Sequence, residues 1–556
     1  MNKIKQKLIL EEYSGDFRFK KINRDININF NRVAFIYFVF IIIFIIFALK
    51  LTYLGNKTFV FKNNLKFTSD FRSTILDRNN VIIAKSVITK NIGINPKQVI
   101  DKQKLLLNLK LIFPDKDYNL ISSKLDKGKF FYLEKKISQK KYKQLFLLGD
   151  KSIIEERKIT RIYPQKNLFS HIIGQIDDDN LGISGIEKYY DYELKTSKQP
   201  LKLSLDTSIQ YLIREELISF KEIFKFTGGS SILMNIDNGE IISMVSLPDF
   251  DLNQRNQIND KVFINRATKA VYELGSVFKT FTFAAALNEK IIKSNTKFND
   301  LDKQIRCAGN IIREYDEEIP QSLTAEEILV RSGNIGSVRI GQKIGIENYK
   351  NFLKKLGILD PIEFDIHEVG KPLNLKWGKC KLATTSFGHG ISTTALHITR
   401  AYAIISNGGY KIRPTLIKDE KKNKADYQRI LDDGVSEKVN KALRKVVYSK
   451  YGTAGFANVS GYDVGGKTGT AQKSVDGKYS NQKVNTFVSI FPSSNPKFVL
   501  LVLLDEPKTN KDYIYNYRDG SGFKYKGNWR NTAGWTSVEV AGKIIEKIGP
   551  ILATKY

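Results

Sequence analysis

The run GGSSILMNIDNGEIISMVS, residues 228–246, places two β-rich segments on either side of Asn238-Gly239, a dipeptide that suits the positive dihedral angles of a tight hairpin turn. Two antiparallel strands are expected there. Far downstream, KFVLLVLLDEP (497–507) reads as another buried strand, and WTSVEVAGKIIEKIGPIL (535–552) repeats its apolar residues at helical spacing. Strands thus begin and finish a unit that starts near Leu201, with helices between and after, which predicts an α/β sandwich around an antiparallel sheet. The stretch before it, from about Gly55 to Pro200, is Lys-rich, mixes helix and strand signals and holds no motif readable from chemistry alone. At 556 residues, two folded units with appendages are expected.

Upstream of both, every residue from Val33 to Leu49 is apolar. Lys50 can snorkel, so that Leu51 to Leu54 extend the run toward the ~20 residues a bilayer requires. A long polar head precedes it and Ala48-Leu49-Lys50 offers no small-residue cleavage site, so 33–54 reads as a retained transmembrane anchor. Arg18, Lys20, Lys21, Arg24 and Arg32 slightly outweigh Lys50, Lys57, Lys62 and Lys66, which favours residues 1–32 as a cytoplasmic tail and everything after the anchor on the far side.

The 89 Lys+Arg against 58 Asp+Glu leave a net charge of +31. The excess is spread along an Ile- and Asn-rich chain without any nucleic-acid-binding signature, so no nucleic-acid role is expected. Cys307 and Cys380 lack metal-ligand spacing, so neither a zinc site nor a disulfide scaffold is read. One disulfide is compatible with a location outside the cytoplasm.

Three short motifs carry chemistry. Ser-x-x-Lys sets a hydroxyl and an amine one helical turn apart on one face, as an acyl-transfer nucleophile with a neighbouring base requires. Its occurrences include Ser138/Lys141, Ser276/Lys279, Ser494/Lys497 and Ser521/Lys524. Pro496 and the glycines around Ser521 argue against helices at the last two, whereas Ser276 follows Gly275 and opens the run VFKTFTFAAALNEK. Ser276 is the credible nucleophile. The others are Ser332-Gly333-Asn334 and Lys467-Thr468-Gly469-Thr470; Ser493-Ser494-Asn495, which precedes a proline, reads as a turn. In this order the three form the signature that penicillin-binding proteins and class A β-lactamases share.

With those motifs the chain resembles the class B penicillin-binding proteins over most of its length. The family's Arg-Gly-x-Ile-x-Asp-Arg-Asn-Gly run is similar to Arg72-Ser73-Thr74-Ile75-Leu76-Asp77-Arg78-Asn79-Asn80, with both glycines replaced. Arg161-x-Tyr163-Pro164, His171-x-x-Gly174 and Gly185-Ile186-Glu187-x-x-Tyr190-Asp191 resemble segments that tie the family's pedestal together and to its catalytic unit; a structural role is expected for them. Gly388-His389-Gly390 and Tyr451-Gly452-Thr453-Ala454 resemble further recurrent stretches. His389 receives no catalytic role, because the family's chemistry uses no histidine base. Many members have Ser-Ser-Asn where Ser332-Gly333-Asn334 stands.

The resemblance implies an α/β, β-lactamase-like transpeptidase fold, an antiparallel sheet with helices on both faces, over 201–556, a mixed α+β pedestal over 55–200, and one transmembrane helix. It implies an inner-membrane, single-pass protein with a periplasmic D,D-transpeptidase, no cofactor and no metal. Ser276 would attack the bond between the last two D-Ala residues of a stem peptide, on lipid-linked or nascent glycan, with Lys279 as base once burial and the charge of Lys467 lower its pKa. Ser332 would relay a proton, and Asn334 would orient Lys279 and the substrate amide. Lys467, Thr468, Gly469 and Thr470 would form the substrate-binding strand, where Lys467 and the two threonine hydroxyls hold the donor's carboxylate. The N–H groups of Ser276 and Thr470 would make the oxyanion hole. β-Lactams would acylate the same serine. The length and the segment 531–552 look most like the division-type members, which implies a membrane glycosyltransferase and other division proteins as partners. An elongation-type transpeptidase, a β-lactamase or D,D-carboxypeptidase using water, and a noncatalytic scaffold are the alternatives, which penicillin labelling helps to separate.

Overall fold

The apolar run near the N-terminus folds as a single helix, α1 (Phe30–Asn56), of which Ala34–Tyr53 is long and apolar enough to cross a membrane. The computed structural model describes residues 30–56, 71–254, 262–307, 310–373, 376–419, 424–475 and 478–556. Arg18, Lys20, Lys21, Arg24, Lys57, Lys62 and Lys66, which bear on orientation, lie outside the described residues. The helix belongs to one unit, Met1–Thr68, and the rest of the chain, Ser69–Tyr556, to another.

The larger unit begins with a sheet of β1 (Ile75–Leu76), β2 (Ile82–Ile94), β3 (Phe131–Glu134), β4 (Ile153–Ile162) and β5 (Leu201–Lys202). β2 is long enough to pair with β1 near its start, β4 along most of its length and β3 at its end, and β5 joins β1 in parallel. The far end of β2 packs Ile92 and Ile94 against Leu105, Leu109, Ile121, Leu125 and Leu145 of three short helices. Asp101, Asp117 and Ser138 cap those helices. Ser138 Oγ accepts the Lys141 N–H at 3.4 Å, so this Ser-x-x-Lys pair is a helix start.

The segments expected to tie this region together converge on one carboxylate. Glu187 accepts from Arg72 Nε at 2.9 Å and Arg161 Nε at 2.7 Å, and Arg72 Nη1 also donates to Asp191 at 2.6 Å. Other members of the same stretches bind residues after position 201: the Tyr190 hydroxyl donates to Asp365 at 3.3 Å, the Gly185 N–H to Glu368 at 3.2 Å and Asn253 Nδ2 to the Tyr163 carbonyl at 2.9 Å. Asn80, where the family has glycine, lies at φ 66°, a left-handed conformation that asparagine tolerates better than most residues.

The second sheet has the order β8-β9-β10-β6-β7, with β6 (Gly228–Asn235), β7 (Ile241–Leu247), β8 (Gly465–Val475), β9 (Lys478–Phe491) and β10 (Phe498–Asp505). All pairings are antiparallel. The β6–β7 hairpin turns at Asn238-Gly239, but more widely than a two-residue turn: only Gly239 has positive φ, and Asn238 Oδ1 accepts the Glu240 N–H at 3.0 Å. Central strand β10 explains its unbroken apolar run by being buried on both sides. Val499, Leu501 and Leu503 meet a core shared with α3 (Lys279–Asn288), α4 (Asn334–Ile344) and α5 (Ala395–Ser406), while Leu500, Val502 and Leu504 meet α2 (Thr207–Phe224) and α6 (Ser537–Lys555). Helices therefore cover both faces and leave β8 as an edge. Ser493-Ser494-Asn495 lies in the turn joining β9 to β10, and Ser521 and Lys524 lie in and beside a short exposed hairpin.

Candidate active site

Gly275 brings Ser276 to the edge strand. Its φ is +61°, and a Cβ there would stand 2.6 Å from the Thr470 carbonyl oxygen, so a side chain would push the turn off β8. Residues Gly275–Phe278 form a 3₁₀ turn that continues into α3 at Lys279. Ser276 stays partly accessible while Lys279, one turn on, is buried.

The second motif meets Lys279 from the next wall. Ser332 takes a left-handed conformation, φ 57°, and α4 starts two residues later at Asn334. Lys279 Nζ donates to the Ser332 carbonyl at 2.5 Å and to Asn334 Oδ1 at 2.7 Å, and lies 3.2 Å from Ser332 Oγ. Lys467 Nζ, from β8, reaches the same hydroxyl at 2.8 Å. One serine oxygen thus lies between two buried amines and can pass a proton between them.

No carboxylate hydrogen-bonds to either amine among the described residues. Burial lowers Lys279 to about 7, opposed by the charge of Glu314, and burial with repulsion from Lys279 drives Lys467 well below its ordinary value. Burial is the larger cause for each amine, and the repulsion expected between the two lysines is a property of the pair.

The third motif lies on edge strand β8. A Cβ at Gly469 would stand 2.2 Å from the Leu274 carbonyl oxygen, so this glycine admits the turn that carries Ser276. A Cβ at Gly275 would come within 3.2 Å of Thr470 N, which places that nitrogen beside the turn carrying Ser276. Thr468 Oγ1 pairs with Thr453 Oγ1 at 2.7 Å, and Thr470 Oγ1 accepts the Ala533 N–H at 2.9 Å. The Tyr451–Ala454 stretch and the Asn531–Trp535 segment thus support the strand's two hydroxyls.

The remaining wall is Gly388-His389-Gly390. Gly388 lies so close to Gly275 that a Cβ would meet its carbonyl oxygen at 1.8 Å. Gly390 donates its N–H to Glu273 at 3.1 Å, and the Tyr479 hydroxyl donates to the same carboxylate at 3.2 Å. His389 packs on Phe387 and Tyr479; burial and the Lys279 charge hold its pKa at about 4, so its ring is neutral. A disulfide joins Cys307 to Cys380, linking the hairpin Gln304–Cys307/Asn310–Arg313 to the helix that leads into this loop.

The structure therefore brings Ser276, Lys279, Ser332, Asn334, Lys467, Thr468, Gly469 and Thr470 together. Sequence reasoning missed Glu273, Glu314 and Tyr479, because each acts across a long separation and belongs to no short pattern. The Tyr451–Ala454 resemblance was the one signal that pointed to Thr453.

The model of the penicillin binding protein transpeptidase domain matches residues 229–520, and that of the penicillin-binding protein dimerisation domain matches 70–215. The probable peptidoglycan D,D-transpeptidase FtsI of Caulobacter vibrioides is 29% identical over 502 residues, covering 87% of this chain and 82% of the relative. Stage V sporulation protein D of Bacillus subtilis is 30% identical over 533 residues, covering 86% and 82%. Among solved structures, penicillin binding protein 2X from Streptococcus thermophilus aligns with a TM-score of 0.69 at 20% identity, covering 87% of this chain and 80% of that one.

Proposed function

The chain belongs to the class B penicillin-binding proteins, serine-type D,D-transpeptidases that act on peptidoglycan, and we propose that it cross-links stem peptides of the septal wall during cell division. The observation that carries the chemistry is the convergence of Lys279 and Lys467 on Ser332 beside the Ser276 turn. With a pKa of about 7, Lys279 is neutral in a large fraction of molecules at neutral pH and accepts the Ser276 proton as its oxygen attacks the D-Ala-D-Ala carbonyl. The Ser276 and Thr470 N–H groups receive the oxyanion, and Ser332 carries the proton to the departing D-Ala amine. Asn334 holds Lys279 and the substrate amide. The donor carboxylate lies against Lys467, Thr468 and Thr470, and its charge restores the proton that Lys467 sheds when the cleft is empty. A second stem peptide's amine then resolves the acyl-enzyme as a cross-link, and a β-lactam imitates the donor and stays attached.

In this reading α1 crosses the inner membrane once, with residues 1–32 cytoplasmic, a periplasmic pedestal over 55–200 and the transpeptidase over 201–556. The Cys307–Cys380 disulfide supports the periplasmic placement, since such bonds persist in oxidising compartments. The likeness of segment 531–552 to division-type members supports the septal role, and a membrane glycosyltransferase with other division proteins would supply nascent glycan. Depletion of the protein in its host tests that role: filaments with blocked septa are expected, and swelling of cells that still divide would assign it to elongation.

A further inference from the structure

Asn334 is gripped from a part of the chain outside the three motifs. The hairpin Gln304–Cys307/Asn310–Arg313 delivers Arg313 and Glu314 to the start of α4. Glu314 accepts the N–H of Asn334 at 2.7 Å through one carboxylate oxygen and the N–H of Ile335 at 2.8 Å through the other. The residue before them, Gly333, has no side chain to cap the helix, so the carboxylate supplies that function from a distance. The Arg313 carbonyl accepts Asn334 Nδ2 at 2.8 Å. With the amide's donor group held there, its oxygen is the atom left to face Lys279 Nζ, 2.7 Å away. A reversed amide would set a donor against the lysine's donors. The hairpin is itself pinned, because its Cys307 is bonded to Cys380.

We propose that Glu314 is a positioning residue for acylation, which fixes Asn334 against Lys279. The proposal rests on the reading that Ser276 is the nucleophile and Lys279 its base. The charged and titratable groups facing Lys279 are Lys467 from β8, His389 from the glycine loop and Glu314 from the hairpin. Only the last is changed by substitution at position 314. Its negative charge favours the protonated lysine, so removing it makes the lysine lose its proton at lower pH.

The test measures the pH profile of acylation by a β-lactam on the full-length chain in detergent, for the unmodified protein, Glu314→Gln, Glu314→Ala and the exposed neighbour Glu317→Gln. Rates are expressed per folded molecule, with folding read from thermal melts. The expected result is an acid limb moved to lower pH in both Glu314 variants, a plateau lowered about 3-fold in Glu314→Gln and about 30-fold in Glu314→Ala as Asn334 loses its anchor, and no change in Glu317→Gln. An acid limb that stays in place in both Glu314 variants overturns the proposal, whatever the plateau does, because loss of a helix cap alone would not move it. No acylation of the unmodified protein would remove the underlying reading; normal acylation with unmoved Glu314 variants would remove only this inference.

Discussion

Two clusters of buried charge stand in contrast. In the N-terminal region Arg72, Arg161 and Glu187 are 3%, 5% and 0% exposed, and in the cleft Lys279 and Lys467 are 1% and 0% exposed. The first cluster is paired: one carboxylate takes both guanidinium groups and Asp191 takes a further N–H. Among the described residues the second has only neutral oxygens as hydrogen-bond partners, from Ser332, Asn334 and Thr468. The same burial therefore has opposite consequences. Paired charges hold three distant segments together, whereas unpaired amines shed protons and become available for proton transfer.

The largest expected effect removes an unpaired amine. Lys279→Met should slow acylation by about 1,000-fold, within the range for losing a general base, while the melting temperature holds or rises because an uncompensated buried amine is relieved. A slow variant that is also strongly destabilised would mean that Lys279 is a structural charge like those of the other cluster. Breaking the paired cluster should do the reverse. Glu187→Ala leaves two buried guanidinium groups without their shared partner, so unfolding should become easier by about 3–5 kcal/mol, with acylation per folded molecule little changed.

A pH titration of stability sharpens the contrast. Unfolded, Lys279 keeps its proton up to about 10.5, whereas in the fold it releases it near 7. Between those values the unfolded chain holds more protons, so the unmodified protein should gain stability relative to Lys279→Met as pH rises, by up to about 1.4 kcal/mol per pH unit. A flat difference across that window would show a lysine that stays charged. The smallest effect belongs to the supporting hydroxyl: Thr453→Val removes the partner of Thr468 and should lower acylation efficiency about threefold, consistent with one neutral hydrogen bond.

Both clusters are partly legible in the sequence. Ser276, Lys279, Ser332, Asn334 and Lys467 stand out because acyl transfer demands their chemistry in short, ordered patterns, and Ser494 and Ser521 are set aside by turn signals alone, whereas Ser138 is set aside only by the fold, where it caps a helix. Arg72, Arg161 and Glu187 stood out only by resemblance, since nothing local shows that residues so far apart share one carboxylate. The antiparallel sheet was readable from Gly228–Ser246 and the β10 run, because strands buried on both faces are apolar throughout. The wider turn at Asn238-Gly239 was not, since it depends on how Glu240 is held. Glu314 was invisible for the reason that makes it informative: its partners at Asn334 and Ile335 are backbone groups, which carry no side-chain signature.

The central claim is that Ser276 is the acylated nucleophile, and intact mass after exposure to benzylpenicillin tests it most directly. The full-length chain should gain one covalently bound antibiotic, and Ser276→Ala should gain none. An adduct that persists in folded Ser276→Ala, or none on the folded unmodified chain, would contradict the account.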